Sequence, residues 1–355
     1  MDDNELLLIC PRGKDDPVSD RLETVLGEAC ARSGAPVRRI NKVEEVRAAD
    51  TRGRRLIFAV ALSGAGVNFE TYRLLEYFRS VPDCLEGSVG GVVIDGKGEL
   101  FTKELARRLL FSANMAGCTF PGKPLVEATG ELKNFFVLSG VYKKEPFEVY
   151  KNQVAALFEK VRCFEFPDGR KKLNLLALHA SSRVTSNTLL LWDKIKENIG
   201  GRADISEISL RNGELADCSG CPYQQCLHFG EKDDCFYGGI MVEKVYPAVL
   251  ACDALLLICP NYNDAVSANI TAFINRLTAI FRTHDFSSKR IYAIVVSGYS
   301  GGDIVAEQVL GAMSCNKNFI LPGRFAIIET ANDPKSILAV KDIDAKALAF
   351  AENIR

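Results

Sequence analysis

The stretch "KLNLLALHASSRVTSNTLLLW" (172–192) decides how this chain folds. Residues 173–180 form an apolar run broken only by Asn174 and His179, the pattern of a strand buried on both faces. A helix pattern follows over 186–199 and stops at Gly200 and Gly201, a plausible C-terminal cap. Between them, Ser181 to Thr188 hold five hydroxyl side chains, one Arg and one Asn in eight positions. Strand, polar turn, helix is the opening unit of a doubly wound sheet, whose ligands bind beyond the carboxyl ends of the strands. Backbone N–H groups at a helix start are unpaired and carry partial positive charge. Hydroxyls and a guanidinium added to them make an anion site suited to a phosphate. An isolated Ser/Thr pair would read only as an N-cap; seven polar donors in one turn favour the phosphate. Neither G-x-G-x-x-G nor G-x-x-x-x-G-K is present in the turn, so it is neither a dinucleotide fingerprint nor a P-loop.

The same rhythm runs through the whole chain. Strands are expected at 173–180, 203–210, 254–260, 290–298 and 324–329 in the second half. In the first half they are expected at 5–10, 35–41, 54–62, 90–95 and 122–128. A helix is expected over 267–283, where Ile270, Phe273, Ile274, Leu277, Ile280 and Phe281 share one face. Short apolar runs alternating with amphipathic stretches mean parallel strands with helical crossovers. The halves also align in order: "LIFAVALSGAGVNFETYRLLEYF" (56–78) lies without gaps on "LLLICPNYNDAVSANITAFINRL" (255–277), and "FPGKPLVEAT" (120–129) on "LPGRFAIIET" (321–330). An internal duplication is inferred. The hydrophilic segment 166–172, "FPDGRKK", is the expected linker between domains at 1–165 and 172–355.

At 355 residues the chain suits two domains. Its 44 basic and 45 acidic side chains leave a formal net charge of −1, which argues against nucleic acid and against an anionic membrane surface. The first apolar run is too short for a signal peptide, and no stretch is long enough to span a bilayer. The chain is expected to be cytoplasmic, with its twelve cysteines as thiols, thiolates or metal ligands instead of disulfides.

"SSRVTSNT" (181–188) resembles the phosphate loop of flavodoxin-like NAD(P)H-dependent FMN reductases and the related iron–sulfur flavoproteins. Three further segments are similar to that family in the expected order: "CPNYNDAVSANITAFINR" (259–276), "SGYSGGD" (297–303) and the cysteine motif "CSGCPYQQCLHFGEKDDC" (218–235). The resemblance covers about residues 172–330. It implies FMN. Ser181, Arg183, Ser186, Asn187 and Thr188 would hold its phosphate. Pro260, Asn261, Tyr262 and Asn263 would border one edge of the ring, and Ser297, Gly298, Tyr299, Gly301 and Gly302 the other. Glycines there allow close backbone approach. His179-Ala180 stands where the family has small residues, and Asp264 replaces a residue usually apolar or Gly.

Four of the twelve cysteines, Cys218, Cys221, Cys226 and Cys235, fall within one loop spaced C-x2-C-x4-C-x8-C. Four thiolates so placed can ligate a [4Fe–4S] cluster or Zn²⁺, or serve as redox thiols. The family's cluster-binding members are more tightly spaced. His228 is expected to be exposed and not a ligand. Cys10 and Cys259 sit in strand-like runs and are most simply core residues.

In the first half, the corresponding turn "GKDDPVSD" (13–20) carries Asp15, Asp16 and Asp20 where a phosphate would lie. Carboxylates there repel it. The expectation is therefore two tandem flavodoxin-like doubly wound α/β domains, each a five-stranded parallel sheet flanked by helices, with cofactor only in the second. The activity implied is NAD(P)H-dependent reduction of an acceptor through FMN. The alternatives are an iron–sulfur electron carrier and a non-enzymatic flavin module. No side chain need act as acid or base, because the cofactor carries the chemistry. Relatives build the flavin site at a homodimer interface, so the first half would stand in for a second protomer, as an intrachain pseudo-dimer; a homo-oligomer is the alternative.

Overall fold

The computed structural model describes residues 5–167, 172–181, 186–210 and 215–355. The chain divides into two compact units, Met1–Glu165 with Pro322–Arg324, and Phe166–Leu321 with Phe325–Arg355.

The first unit is built on β1 (Leu6–Ile9), β2 (Val37–Ile40), β3 (Arg55–Leu62), β4 (Val89–Gly96) and β5 (Leu125–Ala128), in the order β2-β1-β3-β4-β5. The second is built on β6 (Leu173–His179), β7 (Ala203–Ser209), β8 (Ala254–Pro260), β9 (Arg290–Ser297) and β10 (Ala326–Thr330), in the order β10-β9-β8-β6-β7. Read outward from the first strand, both give the flavodoxin-like order 2-1-3-4-5, with every pairing parallel. The central strands are buried along their whole length because helices cover both faces.

The duplication extends to the hydrogen-bond register. Arg55 pairs with Val89 as Ala254 pairs with Arg290, and Val92 pairs with Leu125 as Ala293 pairs with Ala326. Even the isolated bridges match: Val89 with Thr119, and Arg290 with Ile320. A one-residue slip would turn every side chain to the other face, so a repeated register is a strong constraint.

In the second unit, the helix Asn187–Ile199 buries Leu191, Trp192, Ile195 and Ile199 in a core shared with Leu256, Ile294 and Phe350. Each such side chain contributes roughly 1.5–3 kcal/mol on burial. That packing fixes the helix start at the edge of β6. In the first unit, the helix Asp20–Ser33 buries Leu22, Val25, Leu26 and Ala29 in the equivalent way.

The single helix expected over 267–283 is two, Ala268–Arg276 and Thr278–Phe281. The break coincides with a competing bond: the Arg276 carbonyl accepts the Tyr246 hydroxyl at 2.7 Å. Cys10 and Cys259 are buried in the two sheets, and burial pushes both thiols up to about 12. No helix among the described residues is long and apolar enough to cross a membrane.

Candidate functional site

Where β6 ends, Ser181 is buried and its hydroxyl has no partner among the described residues. A buried polar atom normally has one, so this oxygen is available to a ligand. Arg183 lies outside the described residues. Ser186 caps the next helix, accepting the Leu189 N–H at 3.3 Å. Asn187 does something the sequence did not suggest. Its amide nitrogen donates to the carbonyls of Ala331 (3.1 Å) and Asp333 (2.8 Å), and its amide oxygen accepts the Ile337 N–H at 3.4 Å. Its side chain is therefore committed to holding the helix start against the segment after β10. Its backbone N–H belongs to the first turn. Thr188 is buried beside it.

His179, the last residue of β6, is buried 3.3 Å from Glu207 on the neighbouring strand, and Glu207 also accepts the Trp192 indole N–H at 3.2 Å. The large side chain at this position is thus turned to a polar contact between strands.

Two further loops close the site. After β8, the Asn261 amide donates to the Ser297 hydroxyl (2.9 Å), the Ser300 carbonyl (2.8 Å) and the Asp264 carboxylate (3.2 Å), while its own oxygen has no partner among the described residues. One amide thus ties the loop after β8 to the loop after β9. Asn263 and Asp264 both have φ of 56°, the left-handed region tolerated by these short polar residues. Gly301 has φ of 81°, and a Cβ there would lie 1.8 Å from the Asp264 carboxylate. Gly302 is needed for another reason: its Cβ would meet Ile328 at 2.6 Å, so its role is packing against β10.

These loops enclose a cavity of about 600 Å³ at the carboxyl ends of β6, β8, β9 and β10, within the roughly 300–1,000 Å³ of cofactor sites. Ser186, Asn187, Thr188, Pro260, Asn261, Tyr262, Asn263, Gly298 and Tyr299 line it, as do Asp264, Val296, Ser300, Ala331 and Asn332. Ser297, Gly301 and Gly302 support the wall without lining it. Ala331 and Asn332 were missed from the sequence. Their only signal was position: they follow directly on the duplicated fifth strand, at the edge where ligands bind. The orphaned Ser181 and Asn261 oxygens, the glycine at 301 and the cavity's size fit FMN.

Comparison with known proteins agrees with this geometry. Residues 173–333 match the family model for NADPH-dependent FMN reductases. The match lies within the second unit and covers less than half of the chain; that unit is an FMN-dependent oxidoreductase unit of flavodoxin-like fold. Similar solved structures include an NADH:FMN oxidoreductase in its apo form (16% identity, 51% of this chain and 87% of that one, TM-score 0.35). An NAD(P)H:quinone oxidoreductase from Methanothermobacter marburgensis is similar at 12% identity, over 52% of this chain and 97% of that one, with a TM-score of 0.39. An FMN-dependent NADH-azoreductase from Bacillus anthracis is similar at 11% identity, over 51% and 99%, with a TM-score of 0.36. No curated protein matches the chain.

Elsewhere in the reductase unit, Cys218, Cys221, Cys226 and Cys235 are free thiols that line one cavity of about 210 Å³ with Phe229, Phe236, Tyr237 and Arg276. Arg276 is buried and donates to the Ala216 carbonyl before the cysteines (3.4 Å) and the Gly238 carbonyl after them (2.7 Å). Among the described residues no group of three or more His, Cys, Asp or Glu side chains is placed to hold a metal ion. His228 is exposed, as expected, and lies 3.3 Å from Lys232.

In the first unit the place equivalent to the FMN cavity is occupied by its own side chains; the cavity at this edge, about 390 Å³, lies instead between the turns after β1 and β2. Of the three aspartates, Asp15 and Asp20 are exposed; only Asp16 is buried, where it accepts the N–H groups of Gly13 (2.7 Å), Phe69 and Glu70 (2.9 Å). Arg21 pairs with Asp95 at 2.9 Å and donates to the carbonyls of Gly130 (2.8 Å), Thr129 (3.1 Å) and Gly96 (3.2 Å).

Proposed function

We propose that the protein is an NAD(P)H-dependent reductase that works through one FMN, held by the second unit. The observation that carries this reading is the cavity of about 600 Å³ whose walls come from the loops after β6, β8, β9 and β10. FMN, when bound, would accept a hydride from the nicotinamide and hand the electrons to an acceptor. The chain binds and orients. Ser181, Arg183, Ser186, Thr188 and the N–H groups of the first helical turn would hold the phosphate. Pro260 to Asn263 and Ser297 to Tyr299 would border the ring system, with Asn261 keeping the two loops in register. Tyr262 and Tyr299 are 58% and 81% exposed on the cavity wall. Docking of the nucleotide or the acceptor would cover them. The test is titration of the full-length protein with FMN, followed by NADH and NADPH oxidation with FMN and quinone acceptors. Binding without turnover would leave a flavin-binding redox module, and absence of binding would reject the reading.

A second reading adds a [4Fe–4S] cluster and makes the protein an electron carrier between partners. What favours it is that all four clustered cysteines share one cavity. The helix Ala268–Arg276 begins just after the loop bordering the FMN cavity and ends at Arg276 in the cysteine cavity. At ~1.5 Å per residue that helix is roughly 13 Å long, a short path between the two. Iron and sulfide analysis of anaerobically purified protein separates the readings.

A further inference from the structure

Asp264 is the one charged residue among the described residues that line the FMN cavity. It makes no ion pair with any described Lys, Arg or His; its carboxylate contact is the neutral Asn261 amide at 3.2 Å. It is also held in place. Its backbone carbonyl accepts the Gln308 side chain at 2.8 Å, and Gln308 in turn accepts the Val266 N–H at 3.1 Å. Asn263 and Asp264 both sit in the left-handed region, and the absence of a side chain at Gly301 leaves the space that the carboxylate fills. A backbone outlier of this kind persists only where its surroundings over-determine it.

We infer that Asp264 sets the reducing power of this site: a carboxylate on the cavity wall, without a cation partner among the described residues, that disfavours negative charge on the reduced cofactor. The inference rests on the FMN reading. Its physical basis is Coulombic. A carboxylate on the cavity wall raises the free energy of any anion formed beside it, so oxidised FMN binds more tightly than reduced FMN, and the bound cofactor is the stronger reductant. Asp264 touches no reacting atom in this argument; it acts through its field.

The experiment compares full-length wild type, D264N and D264E. It reads the midpoint potential of bound FMN by equilibration with redox dyes, and the dissociation constants of oxidised and reduced FMN. D264N keeps the shape and removes the charge. The ratio of reduced to oxidised dissociation constants should fall about tenfold, a positive shift of about 30 mV for a two-electron couple. D264E keeps the charge and should stay near wild type. A purely structural role would weaken both redox states equally and leave the potential where it was; equal potentials in wild type and D264N overturn the inference. If wild type binds no FMN in the titration, the FMN reading falls first and takes this inference with it, an outcome distinct from FMN bound at an unchanged potential.

Discussion

The carboxyl edges of the two sheets are built from one duplicated plan and finished in opposite ways. In the first unit, Arg21 reaches across to the Gly130 carbonyl beyond β5. In the second, Asn187 reaches to the Ala331 carbonyl, the aligned position beyond β10. Both side chains pin a helix start to the end of the fifth strand. Arg21 is long and charged, requires Asp95 as its counter-ion, and occupies the equivalent place. Asn187 is short and neutral, does the same tethering, and leaves a cavity. Where Asp95 stands in the first sheet, the repeated register puts Val296, an apolar lining residue of the cavity. The fold supplies the edge in both units, and the size and charge of a few tethers decide whether a ligand fits there.

The sharpest way to break this comparison is at the phosphate. If Arg183 holds the phosphate as proposed, Arg183→Glu removes a charge-assisted hydrogen bond and places a carboxylate against the anion, a loss of about 3 kcal/mol or more. FMN affinity should fall more than about a hundredfold, read by fluorescence titration. An affinity within threefold of wild type would put the phosphate elsewhere.

Next comes the closed edge. Arg21→Met leaves Asp95, 2% exposed, without its cation, and frees three carbonyls. A fully buried pair broken this way costs roughly 3–5 kcal/mol; because Arg21 is itself 24% exposed, about 2–3 kcal/mol of stability is expected here. Denaturant unfolding measures it. FMN affinity should not change, and a parallel loss of flavin would show that the two edges are not independent.

Gly301→Ala tests the open edge from within. A side chain at φ of 81° costs about 1–2 kcal/mol, and the Asp264 carboxylate must also move away. FMN binding should weaken about tenfold. Gly34→Ala, at φ of 64° with open space around it, is the control: it should cost stability alone and leave FMN untouched.

How much of this was legible in the sequence follows from what each residue does. The central strands were legible because a doubly buried strand must be an apolar run, and all ten, the exposed edge strands β2 and β7 included, fall within three residues of their expected bounds. The polar helix start was legible because donors are visible as residue types. The tether made by Asn187 was not: an amide that joins two backbone segments looks, in a sequence, like an amide that binds a ligand. Ala331 and Asn332 carry no chemical mark at all, and only the closing of the loops over β10 brings them to the cavity. The break after Arg276 depends on a hydroxyl thirty positions away, which no local pattern could announce.

The smallest expected effect on flavin concerns the largest difference in length between the halves. Between the second and third strands the first unit has only residues 41–54, whereas the second has 210–253, and the cysteine loop is carried in that extra length. If the loop is an addition to the shared plan, it can be altered without touching the FMN edge. Cys235→Ser removes one thiol of the four that line the cavity of about 210 Å³. It should leave FMN affinity within twofold of wild type and stability within about 1 kcal/mol, since a half-buried thiol exchanged for a hydroxyl loses little packing. Iron and sulfide measured in the anaerobically prepared wild type and variant then separate the roles of the loop. Iron in the wild type, lost in the variant with FMN retained, would mean that the insertion adds a second redox centre at the far end of the helix Ala268–Arg276. Iron in neither would leave a thiol loop held by Arg276. A loss of FMN in the variant would join the loop to the flavin edge, and the division into a shared plan and an independent insertion would have to be given up.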